Sequence, residues 1–281
     1  MAEIKKGKRM KRLIQKKLKK TKENLYYILS ALMIGLIVGG IDALFGRVLI
    51  AITDFRGRYI QIFIWFLPIA GLFICWMYHR FNEMSLKGMT LVLETAQGKR
   101  ADIPLALVPL VMVGTWITHL FGGSAGREGV AVQIGATLSH WFARRFKFAD
   151  NRTILLIAGM AAGFGGLFQT PFAAVFFAME VVVTGKMLYQ AFLPSLVAAV
   201  TASTFSNALG LEKFAVPLKQ SFNLSESKTM FYMVILGVAF GLTGRVFSVL
   251  LKRAKAFMGE KLANPYKRIG FVSIPLAIIL F

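Results

Sequence analysis

The residues with the clearest chemical potential run from Gly122 to Val130, Gly-Gly-Ser-Ala-Gly-Arg-Glu-Gly-Val, a glycine-rich turn carrying one carboxylate, Glu128, into an apolar helix. Gly126 and Gly129 let the backbone bend sharply and approach a ligand closely. The first amide N–H groups of the helix have no intrahelical partner, and the helix dipole adds partial positive charge there. Such an end is an anion site made of backbone, spanning Gly126, Arg127, Gly129 and Val130. As a carboxylate, Glu128 is itself an anion and competes with a halide for the same N–H groups. A proton on it removes that competition, so one residue links proton uptake to anion entry. The plain alternative is a glutamate that only caps the first turn. At membrane depth an acid is costly, which favours the functional role. Arg127 shapes the potential near the mouth or pairs elsewhere, since a fixed strong cation in a pore would hold anions too long.

The elements around this turn are apolar. Runs at Leu25–Ile52, Tyr59–Tyr78, Leu105–Phe121, Leu188–Leu209 and Met230–Leu251 are near or above the roughly 18–20 residues that cross a bilayer. Hydrophobic residues make up 56% of the chain and mean hydropathy is +0.62, outside the soluble range, with no strand alternation. The fold class is an all-α polytopic membrane protein. Helices broken at membrane depth are tolerated only where protein or a watery cavity surrounds them. The segment Gly88–Thr95 is too short to cross and reads as a half-helix or re-entrant turn. Between Ala158 and Glu180, Gln169-Thr170-Pro171 separates two apolar halves, with Pro171 suited to the first position of the second. Gly35, Gly39 and Gly40, and later Gly159, Ala162, Gly163 and Gly166, offer small faces for close helix packing. Pro68 is expected to kink the second span. Asp42 and Arg47 either pair with each other or sit at the outer interface. Glu180 is expected to bond backbone amides of a broken helix, and Glu94 and Asp102 to lie at interfaces. Phe214-Ala-Val-Pro217 is a candidate extended piece.

The net charge is +21, and eleven of the 34 Lys and Arg residues fall between Lys5 and Lys22, against only Glu3 and Glu23. Nucleic-acid binding is the tempting reading. Met10, Leu13, Ile14 and Leu18, however, form an apolar stripe at helical spacing within this run, which suits a helix on an anionic cytoplasmic leaflet. The positive-inside rule then puts the N-terminus in the cytoplasm. No signal-peptide pattern precedes or follows Leu25–Ile52, so that run is a membrane span. The single cysteine, Cys75, excludes an internal disulfide. His79, His119 and His140 lack metal-ligand spacing, so no metal site is expected. With no nucleophile–base pair, paired carboxylates or phosphate loop, an enzyme is not expected, nor is a cofactor.

Gly126-Arg127-Glu128-Gly129 resembles the Gly-Arg-Glu-Gly-Pro signature of the CLC chloride channels and anion/proton antiporters. Phe168-Gln-Thr-Pro-Phe-Ala-Ala-Val-Phe-Phe-Ala-Met-Glu180 is similar to that family's Phe-x-x-Pro-x-x-x-x-x-Phe-x-x-Glu helix pair. The resemblance covers residues 25–281 and implies an inverted repeat with an anion path inside each subunit of a homodimer. It divides the chain into a basic segment at 1–24, a first transmembrane repeat at 25–211, and a loop with the start of a second repeat at 212–281. The second-half Gly-x-Phe-x-Pro motif and late pore tyrosine have no counterpart before Phe281, so the second repeat reads as truncated.

Three departures from the family pattern carry information. Val130 replaces a proline, Met89 stands where the family's Gly-Ser-Gly-Ile-Pro turn offers a hydroxyl to the central anion, and Val181 stands where chloride/proton exchangers carry an inner carboxylate. The last two resemble the fluoride/proton antiporter branch. The resemblance therefore implies fluoride/proton antiport in a plasma membrane, with Met89 at the anion site and Glu128 as gate. Chloride transport, as channel or exchanger, is the alternative. A non-transporting truncated membrane protein is the alternative of another class.

Overall fold

Helices begin and end where glycine, proline and side-chain caps permit, and these ends fix the positions of the polar groups. The structure, a computed structural model, describes residues 2–146, 152–183, 185–213 and 226–280, and of residues 2–20 only the backbone. It comprises two compact units, Met1–Lys213 and Phe214–Phe281. No strand occurs among the described residues. In the first unit lie α1 (Ala2–Phe63), α2 (Leu67–Phe81), α3 (Met89–Ala96), α4 (Leu107–Leu120), α5 (Arg127–Arg145), α6 (Arg152–Phe168), α7 (Pro171–Val181) and α8 (Phe192–Ala208). The second unit contains α9 (Ser227–Lys261) and α10 (Pro265–Leu280). Phe214–Pro217 lies outside the described residues, as do the side chains of Met10, Leu13, Ile14 and Leu18.

Among the described residues, three segments are long and apolar enough to cross a membrane: Thr21–Phe81, Tyr189–Ala208 and Ser227–Lys261. Exposed Leu29, Ile62, Trp65, Ile69 and Phe73 give the first of these an apolar outer surface of the kind that faces lipid. The basic N-terminal segment and the first apolar run form one continuous helix, α1, interrupted only by non-helical dihedrals at Tyr59. Pro68 does not kink a helix interior as expected. It occupies the first turn of α2, where its missing N–H is no loss, and a short 3-10 turn at Ile64–Phe66 makes the break. Helix α4 is also shorter than its apolar run. Its 14 residues span about 21 Å, less than the ~30 Å apolar thickness of a bilayer.

The core of the first unit is α6, buried along most of its length against α1, α5, α7 and α8. Missing side chains bring these helices together. A methyl group on Gly135 of α5 would stand 1.9 Å from the Gly159 carbonyl oxygen of α6, and one on Gly163 would stand 2.0 Å from the Ala131 carbonyl oxygen. Backbone therefore touches backbone where α5 crosses α6. Gly35 and Gly39 of α1 meet α8 in the same way, at the carbonyl oxygens of Ala198 and Ala202. Around these crossings, Leu107, Val132, Leu156, Ile157 and Met160 fill one apolar cluster, and Phe45, Leu49, Val111 and Ile134 another.

The α6–α7 break is closed by side chains of α8. Gln169 ends α6 in the left-handed region, at φ +57°, and Pro171 opens α7. Gln169 Nε2 donates to the Gly166 carbonyl at 3.1 Å and to Ser206 Oγ at 2.7 Å, while Ser203 Oγ donates to Gln169 Oε1 at 3.0 Å. Ser206 Oγ also donates to the Gly166 carbonyl at 2.7 Å. These bonds satisfy polar groups at the end of α6.

Asp42 and Arg47 do not pair. Arg47 donates to the Leu209 carbonyl at 3.0 Å. Asp42 is fully buried on the Gly166 surface of α6, where a methyl on Gly166 would lie 2.4 Å from its Oδ2. Neither of its carboxyl oxygens has a hydrogen-bond partner among the described residues.

The α5–α6 crossing predicts a sharp contrast between two glycines. Gly135→Ala overpacks a backbone contact and is expected to destabilise the purified protein by about 2–3 kcal/mol or more. Gly57→Ala in α1, with nothing within 4 Å, is expected to be neutral or slightly stabilising. Thermal melting in detergent checks both, and equal midpoints would contradict the packing account.

Candidate anion site

The glycine turn forms because α4 ends on it and α5 begins on it. Gly122, at φ +80°, accepts the left-handed conformation that closes α4. Its N–H bonds the His119 carbonyl at 3.2 Å, and the Gly123 N–H bonds the Thr118 carbonyl at 2.8 Å. The chain then runs extended to Gly126, the N-cap of α5 at φ −67°, ψ 134°, which has no side-chain cap. Helix α5 therefore starts with its amide groups uncapped by side chains. With Arg127 as the first helical residue, the N–H groups of Gly126, Arg127, Glu128 and Gly129 lack an intrahelical acceptor, and that of Val130 closes the first turn on the Gly126 carbonyl. Val130 is 5% exposed and packs in the apolar cluster with Val111 and Ile134. Its contribution is thus packing, while the free amides lie one residue earlier.

Glu128 is exposed and makes no hydrogen bond or ion pair among the described residues. Its carboxyl folds back over the helix end, so that a methyl group on Gly126 would stand 3.2 Å from Oε2. The carboxylate thus lies beside Gly126, next to the uncapped start of α5, without bonding an N–H of that helix among the described residues. Arg127 turns elsewhere: its guanidinium carbon lies 6.0 Å from the centroid of the Phe168 ring. Phe168 packs in turn on Phe164, which stacks with Phe177 of α7. Arg127 therefore ties α5 to the α6–α7 break and leaves the carboxylate beside it unpaired.

Met89 is the first residue of α3, and Gly88 before it adopts φ +50°, ψ −122°, a conformation open to glycine. The structure brings this half-helix onto α5 through Gln133, a residue that the sequence reading passed over. Gln133 Nε2 donates to the Gly129 carbonyl at 2.9 Å, and its Oε1 faces Gly88. A buried glutamine in an otherwise apolar helix was the available signal. Met89 itself is half-buried against the cluster formed by Leu91, Val132 and Met160. Glu180, expected to bond free backbone amides, instead stands exposed at the C-terminal end of α7, where carbonyls rather than N–H groups are left over. It makes no hydrogen bond among the described residues. Among those residues no group of three or more His, Cys, Asp or Glu side chains converges to hold a metal ion.

The voltage-gated chloride channel family model matches residues 70–281. The chain belongs to the CLC family. A chloride/fluoride channel protein of Pseudomonas syringae pv. tomato is 34% identical over 227 residues, covering 80% of this chain and 50% of that protein. The crystal structure of a CLC-type fluoride/proton antiporter superposes with a TM-score of 0.86 at 44% identity, covering 91% of this chain and 64% of that one. A slow cyanobacterial Cl−/H+ antiporter shares the fold, with a TM-score of 0.75 at 22% identity. The chain thus spans about half the length of the curated CLC relative and under two thirds of these solved CLC structures.

At the other end of α5, about 26 Å from Arg127 along the helix axis, a second polar cluster links this CLC chain's re-entrant segment to its scaffold. Asp102, in the loop after α3, forms an ion pair with Arg144 and a 3.2 Å contact with His140 Nε2. With Ile103, Pro104, Leu105, Trp141 and Arg145 these residues line a cavity of about 360 Å³. Burial pushes the Asp102 carboxyl up, but the hydrogen bond and charge of Arg144, then those of His140, outweigh it and leave it below the ordinary carboxylate value. The segment from Gly88 to Asp102 thus lies beside Gln133 of α5 at its start and is tied to α5 by this cluster at its end.

The cluster has a pH signature. A carboxyl depressed in the folded state stabilises the fold above the unfolded value of about 4, and that contribution is lost as pH falls through the folded value. Wild type is expected to melt above Asp102→Asn at neutral pH, with the gap closing on acidification below about pH 4. A gap independent of pH would contradict the ion-pair account.

Proposed function

We propose that this chain carries the anion site of a transporter that exchanges fluoride for protons across the plasma membrane, with Glu128 as gate. The Glu128 carboxylate carries this reading, because it is unpaired and folded over Gly126 at the uncapped start of α5. A carboxylate there and a halide compete for the same amides and the same positive dipole end. When Glu128 takes a proton its attraction weakens and the halide takes its place. When the halide leaves, the carboxylate returns and releases its proton. Each halide exchange is thereby tied to a protonation step.

Fluoride rather than chloride is supported by the 44% identity to a fluoride/proton antiporter. The apolar Met89 at the start of α3 and Val181 in place of an inner carboxylate support the same choice. Chloride passage is the second reading, favoured by the name of the Pseudomonas relative, which joins chloride with fluoride and describes a channel. The basic residues between Lys5 and Lys22 favour a cytoplasmic N-terminus. The family pattern favours a homodimer in the lipid bilayer, each subunit carrying its own path.

Reconstitution of the 281-residue chain in liposomes, with fluoride, chloride and proton fluxes recorded together, tests this reading. Fluoride efflux is expected to exceed chloride efflux by about tenfold or more, with proton uptake tied to it. Glu128→Gln is expected to keep anion passage and lose proton coupling. Equal or faster chloride flux would overturn the choice of fluoride. Coupling retained in Glu128→Gln would overturn the gate, and flux no greater than in empty liposomes would overturn transport by this chain.

A further inference from the structure

Trp141, Arg144 and Arg145 stand at i, i+3 and i+4 near the end of α5, and so share one face of that helix. All three are exposed, and all three line the cavity of about 360 Å³ whose opposite wall includes Asp102 and Leu105 of the loop after α3. Asp102 pairs with Arg144. No acid answers the next cation, because Arg145 forms no ion pair or hydrogen bond among the described residues. Arg152, the first residue of α6, lies close enough for its charge to act on His140 in the same cavity wall. It too is exposed and forms no ion pair among the described residues. Lys147 and Asp150, in the connection between the two helices, offset each other in charge. Positive charge is therefore in excess around this opening.

Helix electrostatics explain only part of that excess. Arg144 and Arg145 suit the negative C-terminal end of α5, whereas Arg152 stands at the positive end of α6, where the dipole disfavours a cation. Guanidinium groups match phosphate oxygens through paired N–H bonds. Beside these cations the wall is apolar: Trp141 is 43% exposed and Leu105 45% exposed. The Trp141 indole N–H has no acceptor among the described residues. An exposed indole next to arginines, at a polar connection between apolar helices, is the pattern of the headgroup level of a bilayer. Size argues against a halide as the occupant. One water takes about 30 Å³ of liquid, and a halide of similar size would leave this cavity about tenfold too large.

We propose that the cavity between the end of α5 and the loop after α3 binds an anionic phospholipid. The headgroup phosphate is held by Arg145 and Arg152, and the glycerol and upper acyl chains lie against Trp141 and Leu105. Arg144, whose Nη1 meets Asp102, has further N–H donors for the same phosphate. A soluble phosphate would leave the apolar wall bare, which is why a lipid is the better fit. Such a lipid bridges the end of α5 and the start of α6 at the point where Asp102 ties the re-entrant segment to the scaffold. The site is distinct from Glu128 and independent of which anion the chain carries.

The basic residues between Lys5 and Lys22 also attract anionic lipid, so the test reads Trp141 itself. The full chain is placed in phosphatidylcholine vesicles containing lipids with brominated acyl chains, which quench tryptophans they touch. Comparison with Trp141→Phe isolates the share of fluorescence that Trp141 contributes among the four tryptophans. Half-quenching of that share is expected at an about tenfold lower fraction of brominated phosphatidylglycerol than of brominated phosphatidylcholine. In the double variant Arg145→Gln, Arg152→Gln that preference is expected to fall to about twofold or less. Equal quenching by the two lipids in the wild type would overturn the proposal without recourse to any variant. A preference that survives in the double variant would overturn the assignment of its cations. Soluble glycerol phosphate that relieves the quenching as well as unbrominated phosphatidylglycerol does would overturn a lipid as the occupant.

Discussion

In an apolar surrounding every backbone N–H needs a partner, and one left without costs several kcal/mol. A helix start uncapped by any side chain therefore leaves its first amides to be met by something else. Helix α5 has such a start. Gly126 brings the chain into it extended and bare, and the Glu128 carboxyl lies beside Gly126. In the proposed function, the carboxylate and a halide are rival solutions to one electrostatic problem.

The surrounding architecture keeps that helix end where it is. Backbone contact between Gly135 of α5 and Gly159 of α6 fixes α5 against the most buried helix of the unit. Arg127 lies over Phe168, which removes the nearest cation from the Glu128 carboxylate and links α5 to the α6–α7 break. That break is itself closed by Gln169, Ser203 and Ser206. Along α5, the re-entrant segment starts beside Gln133 and is held after its end by Asp102 with Arg144 and His140. The site is thus assembled from helix ends, each held by partners distant in sequence.

Much of this was legible in the residues. Glycines and prolines punctuate the chain, so the turn before Arg127, the half-helix after Gly88 and the break at Gln169-Thr170-Pro171 could be read directly. The small faces at Gly35, Gly39, Gly159 and Gly163 marked close helix crossings, though not which helices cross. Local pattern misled where an apolar run outlasts its helix, as at α4, and where Pro68 begins a helix instead of bending one. It also gave the orientation of Glu180 wrongly, because a glutamate beside a broken helix can lie near either end of it. What local pattern does not encode is pairing at long range. The bond of Asp102 to His140, the burial of Asp42 on Gly166 and the fit of Gln133 to Gly88 all depend on how helices pack, and hydrophobic periodicity leaves that undetermined.

The rivalry between Glu128 and the anion is most directly tested by fluoride binding to the purified protein, followed by fluorine NMR across a range of pH. Competition for shared amides predicts that apparent fluoride affinity rises on acidification in the wild type. It also predicts that affinity is insensitive to pH over the same range in Glu128→Gln. The same pH dependence in both proteins would contradict the account, because the carboxylate would then not be the anion's competitor.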